Sequence, residues 1–205
     1  MNYIKHSFYT IFHPFNGFYE LKNEKKGNLL ISNIFLGVLI LTFIISRQLT
    51  GFIFNNNNTN ELNLLTEILS VLVPLLLWCV SNWCVTTLTD GEGNFSDIYT
   101  MTCYSLLPII IINVPLVLVS NVLTVDESEF YVLFYVLSMV WTGFLLFTGL
   151  MTIHQFTVKK TLFTAVIAIL GALIMIFLIL LLFALLQQLI NFFILVYREI
   201  SLRFY

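Results

Sequence analysis

The chain has 205 residues, of which 59% are hydrophobic and only 10% charged, and its mean hydropathy is +0.95. A soluble domain carries roughly 25% charged residues, so most of this surface faces lipid and an ordinary soluble enzyme is excluded. Nine Lys and Arg against eleven Asp and Glu, a net charge of -2, favour neither nucleic acid nor an acidic partner. The length holds about four to six helices of the ~20 residues needed to cross a hydrocarbon core. The longest polar remnant, residues 1–28, falls short of the ~50 residues of an independent domain.

Residues 1–28 form a cytoplasmic amphipathic segment. Ile4, Phe8, Ile11, Phe12 and Phe15 recur at three- and four-residue steps, which gathers them on one helical face able to lie in the membrane surface. His13-Pro14 divides this segment, because the residue before proline is disfavoured in a helix while proline suits a first turn. Two short helices are therefore expected. No signal-peptide pattern precedes the first apolar run, so that run is expected to remain as an anchor.

Five spans follow, over about 29–46, 68–88, 104–123, 130–153 and 162–186, and together they make a transmembrane domain over 29–186. The second holds Pro74 and Asn82, and the third Pro108, Asn113 and Pro115. The fifth is the most apolar, and Ala165, Ala168, Gly171 and Ala172 give it one side small enough for close helix approach. Residues 187–205 form an amphipathic C-terminal helix that either extends the fifth span or lies on the surface. The fold class is thus all-α, a five-helix membrane bundle with an amphipathic helix at each end.

Five spans place the termini on opposite sides. With the N-terminus in the cytoplasm, Lys5, Lys22, Lys25, Lys26, Lys159 and Lys160 are inside, and Arg47, Arg198 and Arg203 outside, as the positive-inside rule favours. The expected location is the cell membrane, with the C-terminus extracytoplasmic.

The densest polar stretch is Thr89-Asp90-Gly91-Glu92-Gly93-Asn94-Phe95-Ser96-Asp97. Asp90, Glu92, Asn94 and Ser96 alternate as calcium ligands do, but Phe95 replaces the turn glycine and Met101 the closing bidentate Glu. The loop reads instead as a turn at Asp90-Gly91 and Gly93, with Ser96 capping the next helix and Asp97 in its first turn. No basic residue is present in it to hold a phosphate. His154 could join these carboxylates in a membrane-edge enzyme, yet neither a His-Glu-x-x-His nor a Gly-x-Ser-x-Gly pattern occurs. Cys79, Cys84 and Cys103 lack metal-ligand spacing and read as small core residues; no cofactor is expected. No ionisable residue falls within the five spans as drawn, which argues against a transporter. Asn82 and Asn113 read as interhelical hydrogen-bonding groups.

Gly93-Asn94-Phe95-Ser96, followed by Cys103-Tyr104-Ser105-Leu106-Leu107-Pro108, resembles the entry to the third span in the YIP family of Ypt-interacting membrane proteins. His13-Pro14-Phe15-Asn16-Gly17-Phe18-Tyr19 with Lys22 is similar to the N-terminal signature of its short prokaryotic members. The layout matches too, down to His154 and the Lys159-Lys160 pair before the last span. Cys103 stands where the family has glycine, and the Asp-Leu-Tyr-Gly-Pro motif and long N-terminal region of eukaryotic members are missing. Those members bind prenylated small GTPases and shape secretory membranes. The resemblance implies a polytopic protein acting through contacts rather than catalysis.

The resulting expectation is a non-enzymatic adaptor or scaffold in membrane organisation or trafficking. Its partner-binding residues would be Asp90, Glu92, Asp97, Tyr104, Pro108, His154, Lys159 and Lys160, with the acidic loop also able to face Lys159 and Lys160 electrostatically. Its partners would be membrane lipid and an integral membrane or cytoplasmic protein, not nucleic acid, and a homo- or hetero-oligomer is compatible. The alternatives are an accessory subunit of an ABC-type permease and, third, a membrane-edge enzyme.

Overall fold

The computed structural model describes residues 3–24, 26–55 and 63–203. Lys25, Asn56, Asn57, Asn58, Glu61 and Phe204 lie outside these residues, as do the side chains of Ile4 and Arg203. The elements are α1 (Tyr3–Phe12), α2 (Pro14–Asn23), α3 (Leu29–Leu49), α4 (Leu64–Leu88), α5 (Phe95–Ser105), α6 (Leu107–Ser120), α7 (Ser128–His154) and α8 (Val158–Arg203). No strand occurs among the described residues. Five stretches are long and apolar enough to cross a membrane: Leu29–Leu49, Leu64–Leu88, Phe95–Ser120, Val125–His154 and Val158–Leu202.

Asparagines start the first two of these helices. Asn28 Oδ1 accepts from the Leu30 N–H at 2.9 Å and Asn63 Oδ1 from the Leu65 N–H at 3.0 Å, so each satisfies an orphan donor of a first turn. The second spanning helix therefore begins at Leu64, not near Ile68, and includes Glu67. The third begins at Phe95, not Tyr104, because α5 and α6 form one spanning unit broken at Leu106. Pro108 lacks the N–H that would continue the ladder across this break. The Tyr104 to Pro108 motif is the kink itself.

The chain runs back and forth between two ends of the bundle. The proximal end carries α1, α2, the 89–94 loop and the 155–157 turn; the distal end carries the connections after α3 and after α6. At the distal end the Gly51 N–H donates to Ser120 Oγ at 2.9 Å and Asn121 Nδ2 to the Leu49 carbonyl at 2.8 Å. Near the middle, Ser81 Oγ of α4 donates to the Ala168 carbonyl of α8 at 2.5 Å. A Cβ on Gly171 would lie 2.6 Å from that same Ser81 Oγ, so the small side of α8 does receive a neighbouring helix.

The N-terminal helices are part of the core, not a separate layer on the membrane surface. Phe18 (0% exposed), Leu21 and Ile11 join Met101, Tyr104, Leu145 and Ile153 in one buried cluster. The buried side of α1 is formed by His6, Ser7, Thr10 and Ile11, while Phe8, Phe12, Phe15 and Tyr19 stay exposed. Only Ile11 of the apolar face thus turns inward among its described side chains. At the other end of the chain, α8 is continuous from Val158 to Arg203, so the C-terminal segment extends the fifth span.

Candidate functional site

The proximal end is built around the loop joining α4 to α5. Asp90 adopts a left-handed φ of 56°, which Asp tolerates better than most residues, and the Gly91 N–H donates back to the Thr86 carbonyl at 2.8 Å. A Cβ on Gly91 would sit 2.6 Å from His154 Nδ1, and one on Gly93 would sit 2.6 Å from Ile153 Cγ2 and 2.7 Å from His154 Cε1. Both glycines therefore let the loop backbone lie directly on the last turn of α7. The Gly93 N–H donates to His154 Nδ1 at 3.3 Å, which requires that nitrogen to be unprotonated. His154 is buried and stacks on Phe156 at 5.3 Å between centroids.

Lys22 of α2 completes the arrangement. Its ammonium donates to Glu92 Oε2 at 2.9 Å and to the Ile153 carbonyl at 2.8 Å. The second bond satisfies an orphan acceptor at the negative end of α7, so one side chain ties α2, the loop and α7 together. Beside it opens a polar cleft of about 590 Å³, lined by Lys22, Asn28, Glu92, Asn94, Ser96 and Asp97 among others. The Asn94 N–H donates to the Asp97 carboxylate at 3.1 Å, the reverse half of a capping box. Asn94, not Ser96, is the N-cap of α5, and the Asn-x-x-Asp spacing is the sequence signal that marks it.

The sequence-derived residues separate into three groups. Asp90 and Glu92 are exposed, Asp97 is half-buried and His154 is buried, all at the proximal loop. Lys159 is exposed on α8, and Lys160 lies over the Phe156 ring at 4.2 Å. The cation that faces Glu92 is Lys22 rather than either of these; it stands 70 positions away in the chain, so no local pattern could pair them. Tyr104 and Pro108 are buried at the kink, which removes them from any surface and makes them packing residues.

The polar residues assigned to the spans also need revision. Asn113 accepts from Ser138 Oγ of α7 at 3.3 Å, an interhelical bond as expected. Asn82 is 0% exposed, but neither of its side-chain polar atoms has a hydrogen-bond partner among the described residues. Cys79 and Cys103 are buried, whereas Cys84 is exposed and not a core residue. Ionisable groups do lie within the spanning helices: Arg47 of α3 pairs with Glu67 of α4. The pair escaped a reading of hydropathy because each residue sits in the outermost turns of its helix.

A smaller electrostatic knot ties the end of α2 to the turn that follows it. Lys26 Nζ lies 2.7 Å from Glu20 Oε2 and 2.6 Å from Glu24 Oε2, and these carboxylates raise its pKa above the ordinary lysine value. His6 is 2% exposed and belongs to the protein interior. Burial pushes its pKa down, and this outweighs the opposing pull of Glu20, whose carboxylate is 3.5 Å away. Among the described residues, no three His, Cys, Asp or Glu side chains converge as metal ligands.

Five apolar helices, an inward-folded N-terminal pair and a stapled polar end define a multi-pass α-helical membrane protein. The model of the Yip1 domain matches residues 8–182. The chain belongs to the Yip1 family. No curated protein and no solved structure matches it.

Proposed function

We propose that this protein is a non-enzymatic membrane adaptor that engages a protein partner through its proximal face. The observation that supports the reading is the cleft beside Lys22. Elements far apart in sequence are pinned into one polar surface there, with the Glu92 side chain 58% exposed and the exposed Asp90, Asn94 and Ser96 around it. Exposed Phe8, Phe12, Phe15 and Tyr19 on the neighbouring helices add aromatic area, which is enriched at protein interfaces. Lys5, Lys22, Lys26, Lys159 and Lys160 are at this end and Arg47 and Arg198 at or beyond the other, a bias that by the positive-inside rule favours a cytoplasmic proximal face in a cell-membrane protein.

A second reading, an accessory subunit of an ABC-type permease, draws on the apolar surface of α8 from Leu173 onward, where Phe177, Leu180, Phe183 and Leu189 are all exposed. Affinity purification in mild detergent separates the two. A cytoplasmic partner lost on reversing Glu92 supports the adaptor, whereas a permease or ATPase recovered in stoichiometric amount, insensitive to Glu92, replaces it. Loss of function in Asp90→Asn or His154→Ala with protein level and partner recovery unchanged would instead favour the membrane-edge enzyme.

A further inference from the structure

Two cavities border α3 and α4 along with the later helices, and they have Phe43 in common. The outer one, about 220 Å³, is at the distal end and is lined by Arg47, Thr50, Glu67, Asn113, Tyr131 and Tyr135, among others. The inner one, about 270 Å³, is nearly all apolar and is lined by Leu39, Val71, Leu75, Trp78 and Leu146, among others. From Glu67 to Trp78 the helix rises about 17 Å at 1.5 Å per residue, comparable to the ~15 Å of one hydrocarbon leaflet.

The charges in the outer cavity are paired but not saturated. Arg47 Nη1 donates to Glu67 Oε1, while Arg47 Nε is buried with no hydrogen-bond partner among the described residues. A guanidinium offers five donors and a carboxylate two acceptor oxygens. An ion pair that only locked two helices would close the space around itself, since desolvated charges need tight, fully bonded packing to be worth their cost. This one faces open volume. Tyr131 and Tyr135 also line this cavity; Tyr131 stacks one ring face on Phe54 at 4.6 Å, and an aromatic ring beside a cavity attracts a cation.

We propose that this pair of cavities is a site for one phospholipid with a phosphoethanolamine headgroup: phosphate on Arg47, ammonium on Glu67 and the Tyr131 and Tyr135 rings, and an acyl chain along the groove from Phe43 to Trp78. The site's net charge is zero, as is that of the headgroup. A phosphatidylglycerol would set its uncompensated anion against Glu67. A phosphatidylcholine has no N–H to donate to the Glu67 carboxylate.

Native mass spectrometry of the full chain in detergent tests this with added dioleoyl phosphatidylethanolamine, phosphatidylcholine, phosphatidylglycerol or free phosphoethanolamine. The expected result is one phosphatidylethanolamine per chain, preferred at least about tenfold, the worth of one charge-assisted hydrogen bond. Free phosphoethanolamine at equal concentration should not displace it. Glu67→Gln should abolish the preference and raise phosphatidylglycerol retention, and Val71→Trp should reduce retention of every lipid. Equal retention of the three lipids by the unaltered protein would overturn the proposal without reference to any variant. Displacement by the free headgroup would also overturn it, by showing a small-molecule pocket in place of a lipid site.

Discussion

Gly93 and His154 show how a single hydrogen atom in place of a methyl decides the proximal end. The Cβ of Gly93→Ala would stand 2.6 Å from Ile153 Cγ2 and 2.7 Å from the imidazole, so the loop would have to lift from α7. Overpacking of this kind costs about 1–3 kcal/mol, and the thermal midpoint in detergent should fall accordingly. Truncating the ring as well, in Gly93→Ala/His154→Ala, should destabilise by less than the two single changes added together, because one substitution relieves the clash made by the other. His6 carries a pH dependence. Its folded pKa lies below the unfolded value near 6.5, so folding releases a proton between the two. Its contribution is complete above about pH 6.5 and declines as pH falls through the folded pKa. The stability lost between about pH 7.5 and about pH 5 should therefore be smaller in His6→Asn than in the unaltered chain. At this scale the sequence exposed candidates but not partners: His154 and Glu92 drew notice by residue type, while Gly93 and Lys22 gained their roles from contacts 61 and 70 positions away.

The elements were legible where a break has a local chemical cause. His13-Pro14 does divide α1 from α2, and the small residues of α8 do meet α4. The start of the third spanning helix was hidden because its first turns are polar. Thr100, Thr102 and Ser105 lower the hydropathy of α5, yet all three are buried, and the last two return their hydroxyls to carbonyls one turn back at 2.7 and 2.8 Å. Hydropathy measures transfer to lipid, and these residues are transferred to protein. The α2 helix is held chiefly by the buried Phe18 and by Lys22, whose side chain is 14% exposed. Lys22→Met keeps the apolar stem and removes two bonds from a charged donor: that to the Ile153 carbonyl is worth about 1.5–3 kcal/mol, and that to the exposed Glu92 carboxylate under about 1 kcal/mol. Hydrogen exchange should show faster opening of residues 3–24 in this variant and unchanged protection in α6.

For the molecule as a whole, α8 sets the dimensions. Its 46 residues make a helix about 69 Å long, more than twice the ~30 Å hydrocarbon core. The antiparallel contact of Ser81 with Ala168 fixes its depth, because moving along α4 to Glu67 brings α8 to about residue 182 at equal rise per residue. Gln187, Gln188 and Asn191 then fall just past the distal end. Spin labels on α8 should accordingly be reached by oxygen at position 178 and by a water-soluble relaxant at position 191; the reverse order would refute this placement.

The central claim is that the proximal face, and not the lipid-facing helices, engages the partner. Site-specific photocrosslinking in cells tests it directly, with a photoreactive residue placed in turn at exposed positions 23 and 96 of the proximal cleft, at 122 near the distal end, and at 180 on α8. A discrete protein adduct of one size from 23 and 96, absent from 122 and 180 and lost in Lys22→Met, is the expected outcome. Adducts confined to 180, with none from the proximal positions, would contradict the account and transfer the interaction to α8.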